Sequence, residues 1–436
     1  MKKLFIFLLL IPMIVNAEER TYTHENTSIF INENATTKLS DNNYNTYVTL
    51  NTEDTITIEN TEMFNYVYII YYVESMTGTI NYNDTSTRIG ENNFLHECIK
   101  LDEETNKITI NYDDTVRIKE IFLFNETLPN LVQTWNQPLD KADILLFSTH
   151  SDDEHLFFAG LIPSMIASGK NIQVVYLTHH NDNPKRLDEQ LNGLWAVGLR
   201  NYPVLGAFPD AYSESLNGAT TNLSYAGFSL DDVINFQIDI IKWFKPLVVV
   251  NHDEAGEYSH GQHILNTHAL KEALNLLEYE YKPEKVYLHL YEENSITMNY
   301  DIPLEYYNGM TAYEVSKLGY AEHDSQQYTW FTDWLKGKNN EYTKATDIKT
   351  YSPTKFGLYY SKNGNYETLD NDLFYDVEII SNEEPIEDNQ VNEPVKEEIE
   401  EPTNNEIDYK MPIIIVSSLI GIAIIIVLIK ILKSKH

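Results

Sequence analysis

Hydrophobic and polar positions change their period twice along this chain. From 18 to about 130, short β-prone runs at 47–50, 55–58, 66–73, 107–110 and 116–121 are split by polar turns. Period-two alternation at that spacing predicts an antiparallel all-β sandwich over 18–131. Beyond a linker holding Pro129, Trp135 and Pro138, apolar runs at 143–149, 172–178, 204–208, 247–251 and 286–290 alternate with helical patterns at 154–168, 187–199, 230–244 and 264–277. That repetition predicts an α/β domain over 132–380, Rossmann-like, with a mostly parallel sheet and helices on both faces. No Gly-x-Gly-x-x-Gly follows its first strand, so a dinucleotide site is not expected there.

The ends have their own textures. Lys2 and Lys3 precede an apolar run over 4–15 and the small-residue pattern Val15-Asn16-Ala17, which reads as an export signal over 1–17. Over 381–408, acids recur with Pro385, Pro394 and Pro402 and few aliphatics, a composition that cannot bury enough to fold and reads as a disordered tether. The segment 411–432 is uncharged from 413 to 429 and approaches the roughly 20 residues a membrane-spanning helix needs. Lysines at 430, 433 and 435 place a short tail, 433–436, in the cytoplasm. The expectation is a single-pass cell-membrane protein with its body outside.

Charge and cysteine content narrow the partners. The 436 residues carry 66 acidic and 31 basic side chains, a formal charge of −35. No basic stripe is available to neutralise phosphates, so nucleic acid is excluded as a partner. Cys98 is the single cysteine, which leaves neither an intramolecular disulfide nor a thiolate metal site. Together with the short signal, this favours a bacterial surface protein; nothing in the sequence calls for an obligate protein partner.

The chemistry concentrates where two apolar runs end. After 144–147 comes Thr149-His150-Ser151-Asp152-Asp153-Glu154, and after 247–250 come Asn251-His252-Asp253 and Tyr258-Ser259-His260-Gly261-Gln262-His263. Strand ends of an open α/β sheet are where such folds put ligands. Zinc hydrolases hold the metal with three His or carboxylate ligands and leave a position open. His150 and Asp153, three apart across a strand-to-helix turn, can grip one ion. Asp152 need not be a ligand. If the two strands are neighbours, His263 can complete the set and His260 can face a substrate. Asp152 and Asp153 taken alone would only cap a helix, and His268 and His289 taken alone would be packed or surface residues. His252 and Asp253 fit an ordinary turn at least as well as a pocket wall.

The segments His150-Ser151-Asp152-Asp153-Glu154 and Tyr258-Ser259-His260-Gly261-Gln262-His263 resemble the two signatures of the PIG-L, or LmbE-like, zinc-dependent de-N-acetylases, and lesser marks extend the resemblance over about 141–326. The resemblance implies one zinc ion per chain held by His150, Asp153 and His263, with Asp152 as general base. It further implies that His260 stabilises an oxyanion or protonates the leaving amine, that Tyr258 polarises the amide oxygen, and that Arg186 and Asp210 contact a sugar. Two positions depart from the pattern. Ser151 replaces the usual proline, which predicts a looser turn, and Gln262 stands where many members have an acid that could pair with His260. His323, beside Ser325-Gln326, matches a family mark of uncertain function.

The layout over 39–46 with the late strand 116–124 loosely resembles galactose-binding-like jelly rolls. Tyrosines at a rim of the sandwich would then stack on sugars, unless they merely cover a sheet face. The expected activity is extracellular removal of the acetyl group from an N-acetylglucosamine-type sugar or glycoconjugate. The alternatives are a non-catalytic glycan-binding adhesin with a relic hydrolase domain, and a related zinc amidase or esterase.

Overall fold

The computed structural model describes residues 26–125, 127–327, 335 and 342–377. The expected signal, tether, membrane segment and tail lie outside these residues. No helix among the described residues is long and apolar enough to cross a membrane.

The N-terminal part contains eight antiparallel strands: β1 (Thr27–Ile31), β2 (Asn34–Thr36), β3 (Val48–Leu50), β4 (Ile56–Tyr71), β5 (Gly78–Tyr82), β6 (Thr85–Ile89), β7 (His96–Tyr112) and β8 (Val116–Phe124). They are hydrogen-bonded as one sheet in the order β2-β1-β4-β7-β5-β6, with β8 joining β3 to β4. The two expected runs 55–58 and 66–73 belong to the single strand β4. Its polar stretch stays paired, with Glu59 opposite Ser28 and Asn60 opposite Thr27, because backbone groups bond regardless of side chain. Register shifts between Glu59, Phe64 and Tyr66 mark where the ladder is interrupted. Tyr68, Tyr71, Tyr82 and Tyr112 are buried, and Tyr47 is exposed. These four buried rings cover sheet faces, while Tyr44, Tyr66 and Tyr72 are half-buried.

The second part follows the predicted alternation: β9 (Ile144–Ser148), α1 (Asp153–Leu156), α2 (Leu161–Ala167), β10 (Ile172–His179), α3 (Pro184–Ala196), β11 (Val204–Pro209), α4 (Leu216–Tyr225), α5 (Leu230–Phe244), β12 (Val248–Asn251), α6 (Gly261–Leu276), β13 (Lys285–His289), β14 (Ser295–Thr297), α7 (Ala312–Ala321) and β15 (Lys355–Ser361). The sheet order is β11-β10-β9-β12-β13-β15-β14. The first five of these strands pair in parallel and β15 and β14 are antiparallel. The central strands β9 and β12 are buried along their whole length and read as apolar runs, as covering of both faces requires. Ile144, Leu146, Val248 and Val250 belong to one core, while Leu145, Phe147 and Val249 pack with Ile241, Phe244 and Leu270 of α5 and α6 in another.

The expected helix over 154–168 is broken in two. Gly160 between α1 and α2 has φ +95°, and a Cβ there would lie 2.4 Å from Tyr300. The break keeps α1 to a single turn.

The two parts share a seam. The Tyr202 hydroxyl accepts the Leu95 N–H at 3.0 Å, and the Tyr202 ring lies between Phe94 and Trp135, with centroids 4.7 and 5.6 Å away. Across the same seam Asp188 of α3 meets His96 Nε2 at 3.0 Å and pairs with Lys119, whose side chain is fully buried. Removing one member of a buried pair strands the other's charge. Asp188→Ala should therefore cost about 3–5 kcal/mol of stability, read as a lowered midpoint in denaturant unfolding.

Candidate active site

Chain reversal places the site. From β9 the sheet grows one way through β10 and β11, then restarts on the other side with β12. β9 and β12 thus flank the topological switch point, and ligands of open α/β sheets bind outside the carboxyl ends there. His150 follows β9, and His252, Glu257, His260 and His263 follow β12. A cavity of about 300 Å³ opens at this point. All the predicted site residues except His263 line it, joined by Leu156, Phe157, Tyr212 and Gln326.

His263 stands behind the cavity wall, fully buried. Its Nε2 lies 3.1 Å from Asp153 Oδ2 and 3.2 Å from His150 Nδ1, and His150 Nδ1 lies 3.1 Å from Asp153 Oδ2. A tetrahedral zinc with ligands at 2.0–2.2 Å would separate them by roughly 3.3–3.6 Å, so this triangle fits one ion after a small expansion. The protons agree. His263 Nδ1 donates to Glu257 Oε2 at 2.7 Å, and His150 Nε2 donates to Gln262 Oε1 at 3.1 Å. Each ring thereby keeps its other nitrogen for the triangle, where it can give a lone pair to an ion that displaces any proton there. Burial and its histidine neighbours act oppositely on Asp153; the nearby His263 and His150 prevail and hold it well below the usual carboxylate range. Burial would lower His263, yet Asp153 and Glu257 raise it to about 10. The two shifts describe one ion pair, in which the proton on His263 holds the place an ion would take.

Two more histidines approach the triangle. His252 stacks on His263, but its Nε2 accepts the Thr149 N–H at 3.1 Å and its Nδ1 donates to Glu257 at 2.9 Å. With both nitrogens occupied it supports the ligand His263. His260 caps α6 by accepting the Gln262 N–H on Nδ1 at 3.2 Å, which leaves Nε2 to carry the proton. Burial, with His150 and His263 adding, pushes His260 down to about 2, so it is a neutral donor. The expected acid partner at 262 is a glutamine that serves His150 instead; its Nε2 also donates to Pro209 O at 2.8 Å.

Asp152 sits beside the triangle at φ +113°. Such backbone is rare outside glycine and is held only where surroundings enforce it. Burial raises its pKa well above the carboxylate range; Arg186 opposes this, while Asp153 and Glu154 add to it. Arg186 reaches Asp152 at 3.4 Å and Asp210 at 3.1 Å, bridging the buried acid and the cavity rim. Tyr258 also has positive φ, and burial, then Asp153 and Asp152, keep its phenol protonated.

Ser151 makes two hydrogen bonds that the usual proline could not. Its N–H, which proline would lack, donates to His180 Nε2 at 3.2 Å, and its hydroxyl donates to Arg186 O at 3.2 Å. His180 Nδ1 is thereby left as the donor toward Asp210, 3.4 Å away. Hydrogen bonds replace the ring's rigidity.

Glu257 escaped the sequence reading. This fully buried carboxylate takes His252 and His263 on Oε2, and His289 on Oε1 at 2.5 Å. Its one sequence signal is an acid six positions before His263, in the same loop. His289 is packed, as its solitary position implies.

Residues 145–274 match the family described as PIG-L: GlcNAc-PI de-N-acetylase. Over 152 residues the chain is 29% identical to 1D-myo-inositol 2-acetamido-2-deoxy-alpha-D-glucopyranoside deacetylase 2 of Saccharopolyspora erythraea, covering 30% of this chain and 55% of that one. The match thus spans about half the length of that relative. Among solved structures, N,N'-diacetylchitobiose deacetylase from Pyrococcus horikoshii aligns with 57% of this chain and 91% of its own, at 13% identity and TM-score 0.34. CpGH89CBM32-6 produced by Clostridium perfringens aligns with 23% of this chain and 95% of its own, at 21% identity and TM-score 0.20. Residues 145–274, the stretch similar to the PIG-L family, hold both strand-end segments and the donor triangle.

Proposed function

We propose that this chain is a zinc-dependent hydrolase, with one catalytic ion, that removes the acetyl group from an N-acetylglucosamine-type sugar. The observation that carries this reading is the donor triangle of His150, Asp153 and His263 with the buried carboxylate of Asp152 beside it. A divalent ion in that triangle supplies Lewis acidity, which activates water and polarises an amide carbonyl. Asp152, with its raised pKa, takes the proton of the attacking water and returns it to the departing nitrogen. His260 Nε2–H and the protonated Tyr258 donate to the developing oxyanion. Arg186 and Asp210 hold sugar hydroxyls at the rim, and Leu156 and Phe157 give the floor its apolar surface. The apolar segments at the two ends of the sequence support an extracellular, membrane-anchored site of action.

The test is acetate release from a panel of N-acetyl sugars by the full-length chain. Chelation should abolish it and added zinc should restore it. A zinc-loaded chain that releases no acetate from any of them would leave the adhesin reading, and release from other amides or esters alone would leave the related hydrolase.

Tyr212 sets a further expectation. It is 60% exposed at the cavity mouth, edge-on to His260 with centroids 5.1 Å apart. A sugar ring can stack there, so Tyr212→Ala should raise KM roughly 2–10-fold with little change in kcat, measured by steady-state kinetics.

A further inference from the structure

A second group of ligand-type side chains lies under the site. Glu154 and His155 of α1 and His323 after α7 are each at most 1% exposed. Glu154 Oε1 is 3.4 Å from His155 Nε2 and 3.6 Å from His323 Nε2. None of these atoms, nor the Nδ1 of either ring, has a hydrogen-bond partner. A buried neutral imidazole must place one N–H and one lone pair, and leaving either unmet costs about 1–3 kcal/mol, so native proteins fill such gaps with water or an ion.

The surroundings make room for an occupant. The two ring Nε2 atoms converge on Gly193 of α3, where a Cβ would lie 2.8 Å from His323 Nε2 and 2.9 Å from His155 Nε2. A Cβ on Gly319 of α7 would lie 2.4 Å from the His155 ring. Glycine inside a helix is unfavourable relative to alanine. Two of them facing one pair of imidazoles keep a space that any side chain would close. Glu154 is also aimed: its Oε2 accepts the Asp152 N–H at 3.0 Å, which leaves Oε1 turned toward the two rings.

We propose that Glu154, His155 and His323 form a second, buried metal site. Two imidazoles and one carboxylate are a zinc donor set; the three atoms lie within 4.8 Å of one another, and the two separations from Glu154 match ligands at 2.0–2.2 Å around one ion. The site is distinct from the catalytic triangle and shares no ligand with it. Its ion pins α1 to the segment after α7 and, through Glu154, fixes the backbone N–H of Asp152.

Metal content by plasma mass spectrometry tests this on the full-length chain, loaded with zinc and freed of excess. Two equivalents are expected. His323→Gln and His155→Gln should each lose one, and His263→Gln should lose the other. A single equivalent that only His263→Gln removes would overturn the second site, leaving water in the gap. A single equivalent that only His323→Gln removes would support it and sink the catalytic ion instead. Unchanged metal content in both His323→Gln and His155→Gln would also overturn it. The wild-type count decides even where a variant fails to fold.

Discussion

Asp152→Asn is expected to lower kcat for acetate release by about 10²–10⁴-fold while leaving the metal content unchanged. Asn keeps the size of the side chain and tolerates positive φ better than most residues, so the backbone at φ +113° survives the change. It cannot accept and return a proton. The ligands are untouched, because Asp152 makes no edge of the donor triangle. Steady-state kinetics and metal analysis on the same preparation read both outcomes. Near-normal turnover would remove Asp152 from the base position; loss of the metal would make it a ligand.

Glu257→Gln should do its damage without touching the cavity surface. One carboxylate accepts from His252, His263 and His289, and from the Asp253 N–H at 3.2 Å. Burial opposes its charge, but His252 and the hydrogen bonds from all three rings hold it well below the normal range. An amide offers one acceptor oxygen and a donating NH₂, so at least one imidazole loses its partner and His263 loses the anion that fixes its tautomer. Metal affinity should fall about 10–100-fold. Stability should fall by about 3–5 kcal/mol, as for other broken buried pairs. Competition with a chromogenic chelator and thermal unfolding measure the two. Unchanged affinity would show that His263 needs no carboxylate behind it.

The apolar runs announced the five parallel strands because a strand covered on both faces has little room for polar residues. The strand-end segments were legible for a related reason: after such runs, His150 and His263 had nowhere to emerge but the same edge. What stayed hidden depends on groups far apart in sequence. Glu257 becomes a support only when β12, α6 and β13 bring three imidazoles around it. Gln262 turns to His150 rather than His260 because its neighbour's ring is occupied in capping α6. The pattern over 154–168 read as one helix because periodicity does not register Tyr300, which occupies the space beside Gly160. β4 read as two strands because its middle is polar, and pairing with β1 is a backbone property.

One helix has three employers. α3 sends Arg186 into the cavity, Asp188 across the seam to Lys119, and Glu189 to the Ser325 hydroxyl and N–H. Recombination that swapped the β-rich half for a foreign module would leave Asp188 facing a partner with no cation to offer. It would also loosen the helix that steadies Arg186. Such a chimera would have to bring its own lysine to the same spot, so the two halves of this chain are expected to be inherited together rather than shuffled.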